Sequence, residues 1–74
     1  MVGNLLTLAS EYLPEHKVKT IKRAYAFAEE AHRGQVRRSG GPFIEHPLET
    51  ASFLATLRLD GDALVAALLH DVME

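Results

Sequence analysis

Apolar residues recur along this chain at the three- and four-residue spacing of α-helices, and no stretch shows the two-residue alternation of a β-strand. The period predicts four helices, over about residues 2–13, 15–33, 47–58 and 61–74. Pro14 and Gly34 stand where the first two helices end, and Pro47 suits the first turn of the third, with His46 as its cap. The sequence therefore predicts an all-α fold, a short helical bundle.

The fourth predicted helix, which Asp60 caps, is apolar on nearly every side over residues 64–69. A helix of this kind is normally central and covered by several neighbours. The 74 residues make one small domain without a cysteine to staple it, and three other short helices can hardly cover the fourth. We therefore expect residues 1–74 to be a single partial domain, the N-terminal portion of a longer one, which self-associates or packs loosely.

Charge and composition exclude several classes of protein. The formal net charge of −2 gives no overall attraction to nucleic acid or to an anionic membrane. The longest apolar run, residues 63–69, is far shorter than a membrane span. Because the sequence has neither a cysteine nor a signal-peptide pattern, we expect a cytoplasmic protein.

The stretch that follows the second helix is basic and contains glycine. The lysines that precede it are expected on a solvated helix face, where runs of charge usually lie. Arg37, Arg38 and Ser39 differ, because they stand next to two glycines that allow backbone amides to approach an anion. Arginines in this setting favour a phosphate group or a nucleotide as ligand.

Histidine spacing indicates a second candidate site. If the third and fourth helices form an antiparallel hairpin, His46 and His70 lie at the same end of it. Asp71 is adjacent to His70, and Glu74 lies one turn further on the same face. Two imidazoles and a carboxylate are typical ligands of Mn²⁺, Fe²⁺ or Zn²⁺, and a nearby Glu can act on metal-bound water.

Each of these histidines also has a purely structural interpretation. His46 alone would be a helix cap or a packed side chain, and His70 with Asp71 a local hydrogen-bonded pair. His32, at the end of the second helix, is a candidate ligand, but a position in the core or behind the metal ligands is favoured, and His16 is expected on the surface.

The same residues occur in the order of a known family. The motifs are AYAFA at 24–28, His32, GQ at 34–35, RRSG at 37–40, PFI at 42–44, HPL at 46–48, LD at 59–60 and AALLHDV at 66–72. The chain resembles the start of the hydrolase domain of RelA/SpoT-type (p)ppGpp synthetase/hydrolases, which belong to the metal-dependent His-Asp (HD) phosphohydrolases. The loop motif and the 24-residue interval from His46 to His70 make the resemblance specific.

The resemblance implies a metal site and a reaction. His46, His70 and Asp71 match three of the four ligands of a Mn²⁺ ion, and the fourth, an Asp well downstream in the family, is absent from these residues. Glu74 matches the first member of a Glu-Asp pair that orients or activates the attacking water. The implied reaction removes pyrophosphate from the 3′ position of (p)ppGpp and yields GDP or GTP.

The resemblance also implies a substrate loop. Arg37, Arg38 and Ser39 match the segment that receives the guanine nucleotide. Because ligands are missing, the 74 residues alone are expected to be inactive and to bind metal weakly. Two alternatives stay open, an HD phosphohydrolase for another nucleotide and a degenerate HD module that binds or regulates without catalysis.

Overall fold

The fold is a bundle of four α-helices, seen in a computed structural model that describes residues 2–35, 44–70 and 72. Within these residues there is no β-strand, so the prediction of an all-α fold is confirmed. The helices are α1 (Val2–Ser10), α2 (Glu15–Ala31), α3 (Glu45–Thr56) and α4 (Gly61–Leu69).

The helices begin close to the predicted positions, but α1 ends at Ser10 and not at residue 13, and α4 ends at Leu69, short of the predicted residue 74. Asp60 caps α4 as predicted, because its side chain accepts a 2.8 Å hydrogen bond from the backbone N–H of Ala63. Pro14 separates α1 from α2. The prediction that His46 caps α3 is wrong, since the cap is Ile44 and His46 is the second residue of the helix. Pro47 still lies in the first turn, where a missing backbone donor has no helical partner to lose.

The end of α3 uses a residue that sequence patterns seldom place there. Arg58 has a φ of 57°, in the left-handed region that usually requires glycine. The backbone N–H of Arg58 donates to Ala55, and that of Leu59 donates to Leu54, which together form a Schellman motif. The guanidinium of Arg58 lies 5.4 Å from the centre of the Tyr12 ring, a cation–π contact that holds this side chain against the segment after α1.

Each helix packs against two neighbours, because α1 and α4 both lie against α2 and α3. Near the short turns that follow α1 and α3, the hydroxyl of Tyr12 donates to the carbonyl of Leu59 at 2.6 Å. At the same end, Lys17 in α2 lies 3.9 Å from Asp62 in α4, so these two helices run in the same direction. We call this end of the bundle the turn end. The opposite end, where α2 and α4 finish and α3 begins, is called the histidine end.

The core lies between the four helices and consists mainly of small and branched aliphatic side chains. Its buried members are Leu5, Ala9, Ile21, Ala24, Leu48, Ala51, Ala55, Leu64, Ala67 and Leu68. The helix α4 supplies three of them, while Val65 and Leu69 are half-buried and Ala66 is exposed. The neighbouring helices in the described part of the chain therefore cover α4 only in part.

Candidate metal and nucleotide site

The histidine end brings together two side chains from helices that are adjacent in sequence. His46 lies in the first turn of α3, and His70 directly follows the last residue of α4. Their ring centroids are 6.3 Å apart, and the ring planes meet at 66°. Both residues are exposed, so an ion or a substrate can reach them from solvent. The hairpin of α3 and α4 thus places the two rings side by side.

The ring of His70 is oriented by the backbone of its own helix. Its Nδ1 lies 2.7 Å from the carbonyl oxygen of Ala67, and Ala67 is part of the buried core. A carbonyl only accepts hydrogen bonds, so Nδ1 of the neutral ring carries the proton and donates it. The lone pair of this tautomer is on Nε2, and metal-binding histidines are commonly held by a hydrogen bond of this kind.

The two rings are neighbours, but their separation is larger than on a tetrahedral ion. An imidazole nitrogen bonds an ion such as Zn²⁺ at about 2.1 Å, so two rings on one tetrahedral ion have centroids about 5.3 Å apart. The observed 6.3 Å between His46 and His70 is about 1 Å longer, so binding one ion between them requires a small movement of the side chains. Among residues 2–35, 44–70 and 72, no third His, Cys, Asp or Glu joins the pair to make a cluster of three.

Five of the predicted site residues lie outside the described part of the chain. They are the loop residues Arg37, Arg38 and Ser39, and Asp71 and Glu74 after α4. Their flanking residues are informative, because Gln35 and Ile44, at either side of the loop, both lie next to helix termini at the histidine end. Asp71 follows His70 directly in the sequence. The roles predicted for these five residues stay predictions.

His32 occupies a buried position at the histidine end. It follows the last residue of α2, and only 7% of its surface is exposed. Its Nδ1 lies 3.1 Å from the side-chain oxygen of Gln35, a motif residue to which the sequence analysis gave no role. The signal available in the sequence was the three-residue spacing between His32, at the end of α2, and Gln35. His16, by contrast, is exposed near the start of α2, at the turn end, as predicted.

Raised tyrosine pKa values occur away from the histidine pair. Burial is the main cause that raises the pKa of Tyr12, and Asp60 adds to it while the nearby Arg58 lowers it. Burial also raises the pKa of Tyr25, whose hydroxyl donates to the carboxylate of Glu29 at 3.1 Å. Both tyrosines therefore stay neutral at physiological pH and act as packing and hydrogen-bonding groups.

A groove lies between α1 and α3. It has a volume of about 650 Å³, and its lining is mostly apolar. Leu8 and Leu48 lie at its base, and Phe53, which is 62% exposed, lies along its side. Its lining includes Glu45 and Glu49, so its polar rim on α3 is acidic and does not suit a phosphate.

Comparison with known proteins agrees with this arrangement of helices and histidines. A family model described as "HD domain" matches residues 24–74, which hold both histidines and the Asp that follows the second. The chain belongs to the HD-domain family. Among the described residues of this HD-domain chain, no helix has the length and apolar character needed to cross a membrane.

Several curated bacterial proteins are similar over nearly the whole chain. The bifunctional (p)ppGpp synthase/hydrolase SpoT of Escherichia coli K12 is 49% identical over 71 residues, 96% of this chain and 10% of its own length. The guanosine-3′,5′-bis(diphosphate) 3′-pyrophosphohydrolase of Vibrio cholerae is 48% identical over all 74 residues, again 10% of its length. The bifunctional (p)ppGpp synthase/hydrolase RelA of Mycobacterium tuberculosis is 44% identical over 70 residues, 95% of this chain. The chain thus spans about a tenth of the length of these relatives.

Proposed function

We propose that this HD-domain chain is the N-terminal part of the hydrolase site of a (p)ppGpp 3′-pyrophosphohydrolase. The observation that carries the proposal is the His46–His70 pair, with centroids 6.3 Å apart, at the end of the bundle from which the basic loop departs. The similarity of the whole chain to proteins named for this hydrolysis supports the same substrate.

In the proposed site, His46, His70 and Asp71 bind a divalent metal, and Mn²⁺ is the ion we expect. Membership of the HD family favours a divalent metal, and two imidazoles with a carboxylate suit a borderline first-row ion. When bound, such an ion supplies Lewis-acid stabilisation of phosphoryl charge and lowers the pKa of a water molecule. The hydrogen bond from His70 to Ala67 keeps that ring in the tautomer that binds through Nε2.

The other residues of the proposed site handle the nucleotide and the proton. Arg37 and Arg38 bind the phosphates and the guanine nucleotide, with Ser39 as a further hydrogen-bonding group, because guanidinium groups match phosphate oxygens in pairs. Water attacks the phosphorus atom bonded to the 3′ oxygen, and Glu74 accepts a proton from that water as the new O–P bond forms. The bond from this phosphorus to the 3′ oxygen breaks, the 3′ oxygen takes up a proton, and the products are pyrophosphate and GDP or GTP. The proposed location is the bacterial cytoplasm.

The test compares histidine variants within the complete reading frame that encodes this chain. We expect purified wild-type protein to release pyrophosphate from ppGpp when Mn²⁺ is present and to stop when the metal is chelated. His46→Ala and His70→Ala should each lower kcat/KM by about 10²-fold or more, as loss of a metal ligand does. His16→Ala is the matched control, because His16 is exposed at the turn end.

Three results would contradict the proposal. If His46→Ala and His70→Ala were as active as His16→Ala, the two histidines would not be metal ligands. Hydrolysis of another nucleotide in preference to ppGpp would indicate a different HD phosphohydrolase. Nucleotide binding without any hydrolysis, at full metal occupancy, would indicate a degenerate binding module.

A further inference from the structure

His32 is a buried polar residue that none of the proposed chemical steps uses. A polar side chain with 7% exposure carries a desolvation cost that hydrogen bonds must offset. One such bond is visible, because Nδ1 of His32 lies 3.1 Å from Oε1 of Gln35. An amide oxygen only accepts, so Nδ1 of His32 donates the proton. The exposed side chain of Gln35 is therefore attached to a ring fixed in the core.

The backbone between these two residues is held as well. Gly34 has a φ of +81°, a left-handed conformation in which a side chain is strained. The backbone N–H of Gln35 donates to the carbonyl of His32 at 3.0 Å. Two hydrogen bonds and one special glycine thus determine the direction in which the chain leaves α2. We call residues His32, Gly34 and Gln35 the α2 exit turn.

The α2 exit turn lies at the same end of the bundle as the proposed site. The parallel helices α2 and α4 start side by side, where Lys17 contacts Gly61 and Asp62. Counted from that level, His32 is six residues further along its helix direction than His70, which corresponds to about 9 Å. The chain that continues from Gln35 carries Arg37, Arg38 and Ser39, so it starts just beyond the histidine pair.

We propose that His32 and Gln35 are positioning residues for the guanine nucleotide. The inference rests on the proposed function and adds a residue pair to it. His32 holds Gln35 through the Nδ1–Oε1 hydrogen bond, and this bond fixes the starting point of the arginine-containing loop. The pair touches neither the metal nor the water, so it affects binding of the nucleotide and leaves the chemical step unchanged.

The clean test replaces Gln35, because its exposed side chain can be removed without opening a cavity in the core. In the complete reading frame, Gln35→Ala should raise KM for ppGpp about fivefold, since one intramolecular hydrogen bond is lost. The turnover number and the Mn²⁺ affinity should stay within about twofold of wild type. Gln35→Glu keeps an acceptor for the His32 proton and should restore KM.

A matched control is available on the same turn of helix. Glu30 is exposed, and its carboxylate accepts a 2.6 Å hydrogen bond from the guanidinium of Arg33. Glu30→Ala should leave KM for ppGpp unchanged. Nitrogen-correlated proton spectra of the histidine rings provide a readout besides activity. His32 should carry its proton on Nδ1 in wild type and in Gln35→Glu, and should show a larger Nε2–H population in Gln35→Ala.

The outcomes separate this inference from the function on which it rests. Wild-type hydrolysis of ppGpp with an unchanged KM in Gln35→Ala would overturn the positioning role and leave the proposed function standing. A fall in kcat at constant KM would overturn it too, because the pair would then act on the chemical step. A wild-type protein that neither binds nor hydrolyses ppGpp would overturn both together.

Discussion

The cap of α4 offers the most direct test of how local chemistry stabilises this bundle. Asp60 accepts a 2.8 Å hydrogen bond from the backbone N–H of Ala63, one of the first-turn donors that have no partner inside the helix. The helix α4 is only nine residues long, so one capping hydrogen bond is a large share of the interactions that stabilise it. It also supplies three of the buried core residues and leads directly to His70.

Replacing Asp60 with alanine removes the acceptor and the charge, whereas replacing it with asparagine removes only the charge. Asp60→Ala should lower the free energy of unfolding by about 1 kcal/mol, the usual value of a side-chain cap. Asp60→Asn should cost about 0.3 kcal/mol, because asparagine caps as well and only the interaction with the helix dipole is lost. For a domain of this size, 1 kcal/mol corresponds to about 4–8 °C in Tm.

The assay is urea unfolding followed by circular dichroism at 222 nm, with thermal unfolding as a second measurement. Both variants should keep the wild-type slope against urea, which indicates an unchanged extent of unfolding. If Asp60→Asn destabilises the protein as much as Asp60→Ala, the charge and not the hydrogen bond is responsible. If neither variant differs from wild type, the cap contributes nothing and the reasoning is refuted.

Three further predictions follow from the core, the tyrosines and the uncovered surface. Leu64→Ala should lower the free energy of unfolding in urea by about 3 kcal/mol, because Leu64 is fully buried. Leu57→Ala, at a residue that is 57% exposed, should lower it by less than about 0.5 kcal/mol. Equal losses in the two variants would contradict the assignment of the core. The pKa of Tyr12 in the folded protein is raised above its ordinary value of 10.0. The free energy of unfolding should therefore fall as the pH rises from 10 through the folded pKa, and Tyr12→Phe should reduce this fall. Identical pH dependence of stability in wild type and Tyr12→Phe would refute the prediction. Phe53 is 62% exposed, so the chain should self-associate in sedimentation experiments and Phe53→Ser should reduce this; a wild-type monomer at all concentrations would exclude it.

Local signals in the sequence predicted two of the helix boundaries, although the predicted cap of α3 at His46 was wrong. The cap at Asp60 and the boundary at Pro14 were predicted, because capping and proline geometry depend on a few neighbouring atoms. The juxtaposition of His46 and His70 followed from helix rise and an antiparallel hairpin, and the structure brings their rings to 6.3 Å. Their proximity alone does not make them metal ligands, and that role stays a prediction.

Features that depend on tertiary contacts were beyond the sequence patterns. Arg58 ends α3 in a left-handed conformation, a position for which patterns favour glycine, and its side chain lies over Tyr12, 46 positions earlier in the chain. The pairing of His32 with Gln35 follows from the turn after α2, whose course depends on the φ of Gly34. The contact of Arg58 with Tyr12 is selected by packing, which no short-range spacing encodes.

The grouping of helices into two hairpins has a consequence for how the site is assembled. Only the four residues 57–60 connect α3 to α4, so closing this hairpin costs little chain entropy. His46 and His70 both belong to it, and their approach is completed by a local folding event that does not require α1. The histidine pair therefore belongs to a unit that can form on its own, separately from α1 and α2.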